Sequence, residues 1–150
     1  MKSVTFYVLN QHVTIDDLAA IEQFVCDFVA KQWRQVKRIL IFCKDDTQAF
    51  RLDEALWGRS ADEFIPHNLV GEGFPDGSPI EICWPQRLEG RNIYRDLLIN
   101  LLETDVTFPF SFNSVIDFVP NDNTLKELAR CRYKQYRNLG FHVITSKSST

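Results

Sequence analysis

Several features that would point directly to a reaction or a cofactor are missing from this chain of 150 residues. The four cysteines lie far apart, without a Cys-x-x-Cys pair or a histidine at a ligand-like spacing, which argues against a zinc site and favours reduced, mostly buried thiols. No apolar run approaches the roughly 18 residues of a membrane-spanning helix, and the N-terminal run is too short for a signal peptide. We therefore expect a cytoplasmic protein that binds no metal.

Glycine-rich motifs for nucleotide binding and motifs for covalent catalysis are missing as well. Residues 10–14, which follow the first apolar run, contain no glycine, whereas a dinucleotide fingerprint needs glycines at that turn. The cluster Gly71-Glu72-Gly73 has a carboxylate at its centre and lacks the following lysine of a P-loop. No Gly-x-Ser-x-Gly segment is present, and the three histidines have no nucleophile close by in the sequence. We expect neither a catalytic site nor a cofactor.

Two pairs of neighbouring aspartates, Asp16-Asp17 and Asp45-Asp46, stand where helices are predicted to begin. Carboxylates at such positions accept hydrogen bonds from free backbone N–H groups and complement the helix dipole. Helix capping is therefore the simpler interpretation of both pairs, and acid–base catalysis is the alternative.

The composition is that of an ordinary globular protein. Hydrophobic residues make up 45% and charged residues 25% of the chain, which excludes wholesale disorder and leaves enough apolar side chains for one core. Short apolar runs predict buried strands at residues 5–9, 38–43, 80–84, 96–102 and 115–119, of which 97–102 also fits a helix. Apolar residues at three- and four-residue spacing predict helices at 15–35 and 47–56, and a third helix that begins with a capping box at 124–127 and ends at Gly140.

Alternation of helices and strands along the chain predicts how these elements assemble. Long apolar runs that are buried on both faces are typical of parallel sheets covered by crossover helices. We expect a single three-layer α/β/α domain over residues 1–150, with a mostly parallel sheet. The domain would be Rossmann-like but without a nucleotide-binding loop.

The net charge of -3 conceals an uneven distribution. Residues 1–125 contain 11 basic and 19 acidic side chains, which gives -8, whereas residues 126–150 contain 6 basic side chains and 1 acidic side chain, which gives +5. The negative total argues against a general nucleic-acid binder, because such proteins use positive charge to displace counterions from phosphate. The last part of the chain is thus a basic segment on an acidic body.

The third predicted helix concentrates cations around an aromatic side chain. One interpretation is a solvated face whose cations favour the C-terminal end of the helix dipole. The other is a binding surface for an anionic partner, with the aromatic ring as an apolar wall. At about 100° per residue, the side chains that fall on this stripe are Lys126, Arg130, Tyr133, Lys134 and Arg137.

A second group of large side chains follows the second predicted helix. Trp57 stands next to Gly58 at the helix end, and Phe64-Ile65-Pro66 lies in a predicted loop near the surface. These aromatic side chains either fold back onto the core or form an exposed anchor for a protein partner.

A series of segments resembles the chi subunit of bacterial DNA polymerase III holoenzyme over nearly the whole chain. The most specific segments are residues 51–57, Arg-Leu-Asp-Glu-Ala-Leu-Trp, and residues 66–69, Pro-His-Asn-Leu. The resemblance is weakest from Leu88 to Asn113. The other matching segments are residues 5–7, 25–26, 64–65, 71–73, 84–86, 117–120, 128–130, 132–134 and 136–137.

The resemblance implies one chi-type domain, a non-catalytic accessory subunit whose fold is similar to nucleotide-binding domains but binds no nucleotide. It implies two partners: the psi subunit, which tethers chi to the clamp loader, and the acidic C-terminal tail of single-stranded DNA-binding protein. By motif match, psi would contact Trp57, Phe64 and Val119. The tail would contact Lys126, Arg130, Tyr133 and Lys134.

Side-chain chemistry suggests a role for each residue of the tail site. A guanidinium can bind a carboxylate through two hydrogen bonds, so Arg130 is the expected partner of the terminal carboxylate. Lys126 and Lys134 would contact acidic side chains, and Tyr133 would form a pocket wall. The alternative is direct binding of single-stranded nucleic acid by the same stripe, although one aromatic ring offers little stacking surface. We expect little direct DNA binding.

Overall fold

The computed structural model describes residues 2–9, 20–35, 38–59, 64–70, 78–85, 96–104 and 112–147. Within these ranges the helices are α1 (Ala20–Gln32), α2 (Asp46–Trp57) and α3 (Asn123–Asn138). The strands are β1 (Ser3–Val8), β2 (Ile39–Phe42), β3 (His67–Leu69), β4 (Ile80–Cys83), β5 (Leu97–Asn100), β6 (Ser114–Val119) and β7 (His142–Lys147). They form one sheet in the order β3-β4-β2-β5-β6-β1-β7, and every pair of neighbours is parallel.

The predicted α/β fold with a parallel sheet is confirmed, and each predicted strand is present. The run at 97–102, which also fitted a helix, contains strand β5. Two strands were not predicted, β3 and β7. The first is only three residues long, and the second lies at the sheet edge with most of its side chains exposed, so neither produces the apolar run of a strand buried on both faces.

The helices cover the two faces of the sheet and make three layers. On one face, Val25 of α1 and Leu52 of α2 join a core with Ile41 of β2. On the other face, Tyr136 of α3 joins a second core with Phe6 of β1. Because successive side chains of a strand point to opposite faces, the central strands supply both cores and are buried along their length.

Aspartates cap two of the helices, but only one of them was predicted correctly. Asp45 caps α2, where its carboxylate accepts a hydrogen bond from the backbone N–H of Gln48 at 2.8 Å. The capping box predicted at 124–127 is wrong, because α3 begins earlier. Its cap is Asp122, whose extended backbone brings the carboxylate within 2.9 Å of the Leu125 nitrogen.

The other predicted helix ends are confirmed only in part. Gly140 follows the last residues of α3 with a φ of 90°, a left-handed conformation that glycine adopts without strain, as the sequence predicted. The helix predicted at 15–35 is present as α1, from Ala20 to Gln32. Asp16 and Asp17 lie outside the described residues.

All four cysteines are free, and most are buried, as predicted. Burial raises the pKa of the Cys26 and Cys83 thiols to about 12, and it raises the pKa of Cys43 as well. Cys131 is exposed on α3. Over the ranges that the structure describes, no helix has both the length and the apolar character needed to cross a membrane.

In the folded protein, one thiol out of four, Cys131, is expected to react rapidly with a chromogenic disulfide reagent. The other three should react only after unfolding, because the thiolate is the reactive species and burial suppresses it. Absorbance before and after addition of guanidinium measures both classes. The Cys131→Ser variant is the control and should contain no fast-reacting thiol. A fast-reacting thiol in this variant would contradict the burial of the other three cysteines.

Candidate functional site

A buried ion pair joins α3 to the middle of the sheet. Asp117 of β6 is 1% exposed, and Arg132 of α3 donates to both of its carboxylate oxygens, from Nε at 3.0 Å and from Nη2 at 3.1 Å. The same guanidinium also donates to the carbonyl oxygens of Phe118 and Glu103. Arg132 is therefore surrounded by acceptors, and its charge is neutralised inside the protein.

Two neutral side chains complete the group around this carboxylate, and we call Asn100, Asp117, Arg132 and Tyr136 the Asp117 cluster. The Tyr136 hydroxyl donates to Oδ2 at 2.9 Å, and the Asn100 amide nitrogen donates to the same oxygen at 3.0 Å. The backbone N–H of Phe118 donates to Oδ1 at 2.6 Å. A buried cluster of polar side chains whose hydrogen bonds are all made specifies one position of α3 on the sheet. Any shift of the helix would leave a buried polar group without its partner.

Burial changes the ionisation of the Asp117 cluster. Desolvation raises the pKa of Asp117, while the charge and hydrogen bonds of Arg132 act in the opposite direction. Desolvation and the nearby Asp117 carboxylate raise the pKa of the Tyr136 hydroxyl well above its ordinary value. Tyr136 therefore keeps its proton and remains a donor to Asp117.

The opposite side of α3 is exposed and basic. Lys126, Arg130 and Lys134 are all exposed, and the one carboxylate in the helix is Glu127. Its Oε1 lies 3.1 Å from Nη1 of Arg130, in an ion pair whose side chains are 68% and 67% exposed. An exposed pair of this kind contributes only about 0.3–0.5 kcal/mol, so Arg130 can readily exchange partners.

Tyr133 places an aromatic ring among these cations. It is half-buried, with its ring centroid 5.9 Å from that of Phe6 in the core. The guanidinium of Arg137 lies 6.0 Å from the centroid of the Tyr133 ring. The structure thus brings together all the side chains of the stripe that the sequence singled out on this helix.

The surface charge of this segment is smaller than the +5 counted from residues 126–150. Arg132 was among the basic residues of that count, but it is paired with Asp117 in the interior. The remaining cations of α3 lie on the outward side, where Glu127 is the one carboxylate of the helix.

A second exposed surface lies at the end of α2, and we call Trp57 and Phe64 the aromatic patch. Trp57 is 60% exposed and Phe64 is 58% exposed, with their ring centroids 6.1 Å apart. Phe50, which the sequence analysis missed, packs edge-on against Trp84 at 5.5 Å. The sequence signal for Phe50 was its spacing of seven residues from Trp57, because residues two helical turns apart lie on the same side of a helix. Clustered exposed aromatics are typical of protein-binding surfaces.

A buried histidine supports Trp57 from beneath. The ring centroids of His67 and Trp57 are 4.9 Å apart. Nδ1 of His67 lies 2.7 Å from the carbonyl oxygen of Ile65, and Nε2 lies 3.2 Å from Oδ1 of Asp53. The second contact has the distance of an ion pair but not the angle of a hydrogen bond. Together these contacts fix the ring on which the indole rests.

Val119 does not lie with the aromatic patch. It is the last residue of β6 and packs against the core beneath α3, whereas Trp57 and Phe64 lie beside α2 and β3. Strands β5, β2 and β4 separate β6 from β3, a distance of about 19 Å at ~4.8 Å per strand. The three residues that motif match assigned to one surface therefore lie in two places.

The crevice at the carboxyl ends of the strands, where Rossmann-like folds bind nucleotides, has a volume of about 280 Å³. The cations that line it in the described ranges are already paired: Lys44 with Glu103 at 3.7 Å, Arg51 with Glu22 at 2.6 Å, and Arg132 within the Asp117 cluster. The N-termini of α2 and α3 each hold an aspartate of the chain itself. This arrangement disfavours a bound phosphate.

These features define an α/β protein of the Rossmann-like class whose basic stripe on α3 and aromatic patch beside α2 lie outside the nucleotide crevice. The crystal structure of T4 UvsW shares the fold, with a TM-score of 0.68 over 98% of this chain and 41% of that chain; at 10% identity the likeness concerns the fold alone. The sequence identifies the family. The model of "DNA polymerase III chi subunit, HolC" matches residues 1–144, and the chain belongs to this family.

Three relatives named DNA polymerase III subunit chi match nearly end to end. The Escherichia coli protein is 51% identical over 146 residues, covering 97% of this chain and 98% of that protein. The Haemophilus influenzae protein is 44% identical over 145 residues, with 96% of each chain covered. The Pseudomonas aeruginosa protein is 30% identical over 141 residues, covering 94% of this chain and 93% of that protein. The family resemblance seen in the sequence is confirmed.

Arg132→Ala is expected to lower the free energy of unfolding by about 3–5 kcal/mol, because it leaves the Asp117 carboxylate buried without its counter-charge. Arg130→Ala, two residues earlier on the exposed side, is the matched control, with an expected change below about 0.5 kcal/mol. Urea denaturation followed by circular dichroism measures both. Equal effects of the two substitutions would refute the assignment of Arg132 to the interior.

Proposed function

We propose that this chi-family protein is a non-catalytic accessory subunit of the DNA polymerase III clamp-loader assembly. It binds the psi subunit and the acidic C-terminal tail of single-stranded DNA-binding protein, and so links the replisome to coated single-stranded DNA. Family membership supports this proposal. The observation that carries it is the presence of two separate exposed surfaces of different chemistry, a basic one on α3 and an aromatic one beside α2.

The basic surface suits an acidic peptide that ends in a free carboxylate. Arg130 binds the terminal carboxylate through two hydrogen bonds once its weak pair with Glu127 opens. Lys126 and Lys134 lie one helical turn away on either side and neutralise further carboxylates. Tyr133 offers an apolar wall for a hydrophobic side chain of the tail, since its ring is held against the core.

The aromatic patch suits an apolar surface of psi. Trp57 and Phe64 are more than half exposed, and burying them would remove apolar area from water at about 25 cal/mol per Å². The ring of His67 beneath Trp57 holds the indole in place before binding, which lowers the entropic cost of association. Because Val119 lies beneath α3, a psi contact there would be a second, separate one, and we place the main contact at Trp57 and Phe64.

Direct binding of single-stranded nucleic acid by α3 is the weaker alternative. A stacking platform for single strands uses several exposed aromatic rings along a basic groove. Of the two tyrosines in α3, Tyr136 is buried and Tyr133 is half-buried. The net charge of -3 also opposes binding to a phosphate chain.

Arg130→Ala is expected to weaken binding of an acidic tail peptide by about 1.5–3 kcal/mol, because it removes a hydrogen-bonded charge. Isothermal titration calorimetry measures the loss, and the wild-type affinity should fall as the salt concentration rises. Lys147→Ala, an exposed cation of β7 outside the stripe, is the control and should bind the peptide normally. An unchanged affinity in Arg130→Ala would overturn the tail site.

Trp57→Ala and Phe64→Ala are each expected to weaken psi binding by about 2–4 kcal/mol, the scale of an aromatic anchor, without changing affinity for the tail peptide. Lys134→Glu should weaken binding of the tail peptide without changing the affinity for psi. Surface plasmon resonance with each partner separates the two effects. Parallel loss of both partners in any one folded variant would argue for a single shared site. Binding of an oligonucleotide that Lys134→Glu abolishes would favour the nucleic-acid alternative.

A further inference from the structure

A groove opens between the end of α1 and the two residues Arg59 and Phe64, which come after α2 in the chain. Its volume is about 360 Å³, and Trp33 and Phe64 form its aromatic walls. Four charged side chains also line it: Asp27, Lys31, Arg34 and Arg59. The groove is continuous with the aromatic patch, because Phe64 belongs to both and lies 6.1 Å from Trp57 between ring centroids.

The charges in this groove are unevenly matched. Its one described carboxylate, Asp27, already accepts from Arg59 at 3.2 Å and from Gln23 at 3.3 Å. Lys31 and Arg34 are exposed, and neither has a carboxylate partner among the described residues. Within the part of the chain that the structure describes, the groove therefore has two cations without a carboxylate partner next to aromatic walls.

The guanidinium of Arg34 lies close to the aromatic ring of Trp33. It is 5.3 Å from the ring centroid, a distance at which the ring attracts the cation and limits its motion. A guanidinium placed over a ring still has its N–H groups free to bind a carboxylate in its own plane. Lys31, in the last turn of α1 and three residues before Arg34, also lines the groove and adds a second positive charge.

We infer that this groove receives an acidic side chain of the protein that docks on Trp57 and Phe64, an inference that rests on the proposed binding of psi. The carboxylate of a partner Asp or Glu pairs with Arg34 and Lys31, next to the apolar contact. A protein is favoured over nucleic acid because the groove adjoins an exposed apolar patch. It also lies in residues 1–125, whose 11 basic and 19 acidic side chains repel an extended phosphate chain. Psi would thus be recognised by an apolar anchor and an adjacent acidic residue.

Charge reversal in the full-length protein tests this inference. The double variant Lys31→Glu, Arg34→Glu is expected to bind psi at least about fivefold more weakly at low salt, because two exposed ion pairs are lost and repulsion is added. Its affinity should also depend less on salt concentration than that of the wild type. The matched control is Lys2→Glu, Lys147→Glu, which makes the same change of charge beside β1 and on β7 and should bind psi within about twofold of the wild type.

A zero-length carbodiimide crosslink gives an independent measurement. In the wild-type complex with psi, mass spectrometry should identify an amide bond between Nζ of Lys31 and an Asp or Glu side chain of psi. Thermal denaturation by circular dichroism first establishes that both double variants are folded.

The outcomes distinguish the groove from the psi site itself. If Trp57→Ala loses psi while Lys31→Glu, Arg34→Glu binds it as tightly as the wild type, the groove assignment is wrong and the proposed function stands. If the wild-type protein does not bind psi, the proposed function fails and the groove assignment fails with it. If the double variant keeps psi but loses affinity for an oligonucleotide, the groove binds nucleic acid instead, which also overturns the inference.

Discussion

The ion pair between Asp117 and Arg132 is the contact on which the position of α3 against the sheet depends. It connects β6 to α3, and through Asn100 and the carbonyl oxygen of Glu103 it also includes β5 and the segment after it. This pair sets the rotation of α3 about its own axis. At about 100° per residue, Arg130 and Lys134, each two residues from Arg132, point roughly 160° away from it. Burial of one arginine therefore directs the neighbouring cations toward solvent.

The sequence predicted the parts of this protein that depend on local patterns. Apolar runs located the central strands because those strands are buried on both faces. Helical spacing located the basic side of α3, whose cations Lys126, Arg130 and Lys134 are exposed. Residues that depend on tertiary partners were not predictable in this way. The spacing of residues along α3 does not show that Arg132 is buried, because its partner Asp117 lies in a different element, strand β6.

Neither motif match nor periodicity could show how the surface residues are arranged relative to one another. Motif match placed Val119 with Trp57 and Phe64, although the strand order separates them, and a single sequence gives no strand order. Periodicity missed His67, since a buried polar side chain in a three-residue strand has no pattern to detect. The proposed capping box failed because two acceptable caps, Asp122 and Thr124, stand close together, and only the backbone conformation decides between them.

The aspartates at the starts of α2 and α3 have a consequence for how this protein is controlled. In nucleotide-binding members of this fold class, helix N-termini at the crevice hold phosphate, so that the occupant and its hydrolysis can alter the conformation. Here Asp45 and Asp122, which belong to the chain, each accept a hydrogen bond from one backbone N–H of the first turn. At both helix starts, a carboxylate of the chain itself thus stands where a bound phosphate would accept hydrogen bonds. A side chain of the protein is neither hydrolysed nor exchanged, so switching by a bound nucleotide has no counterpart at these two helix starts.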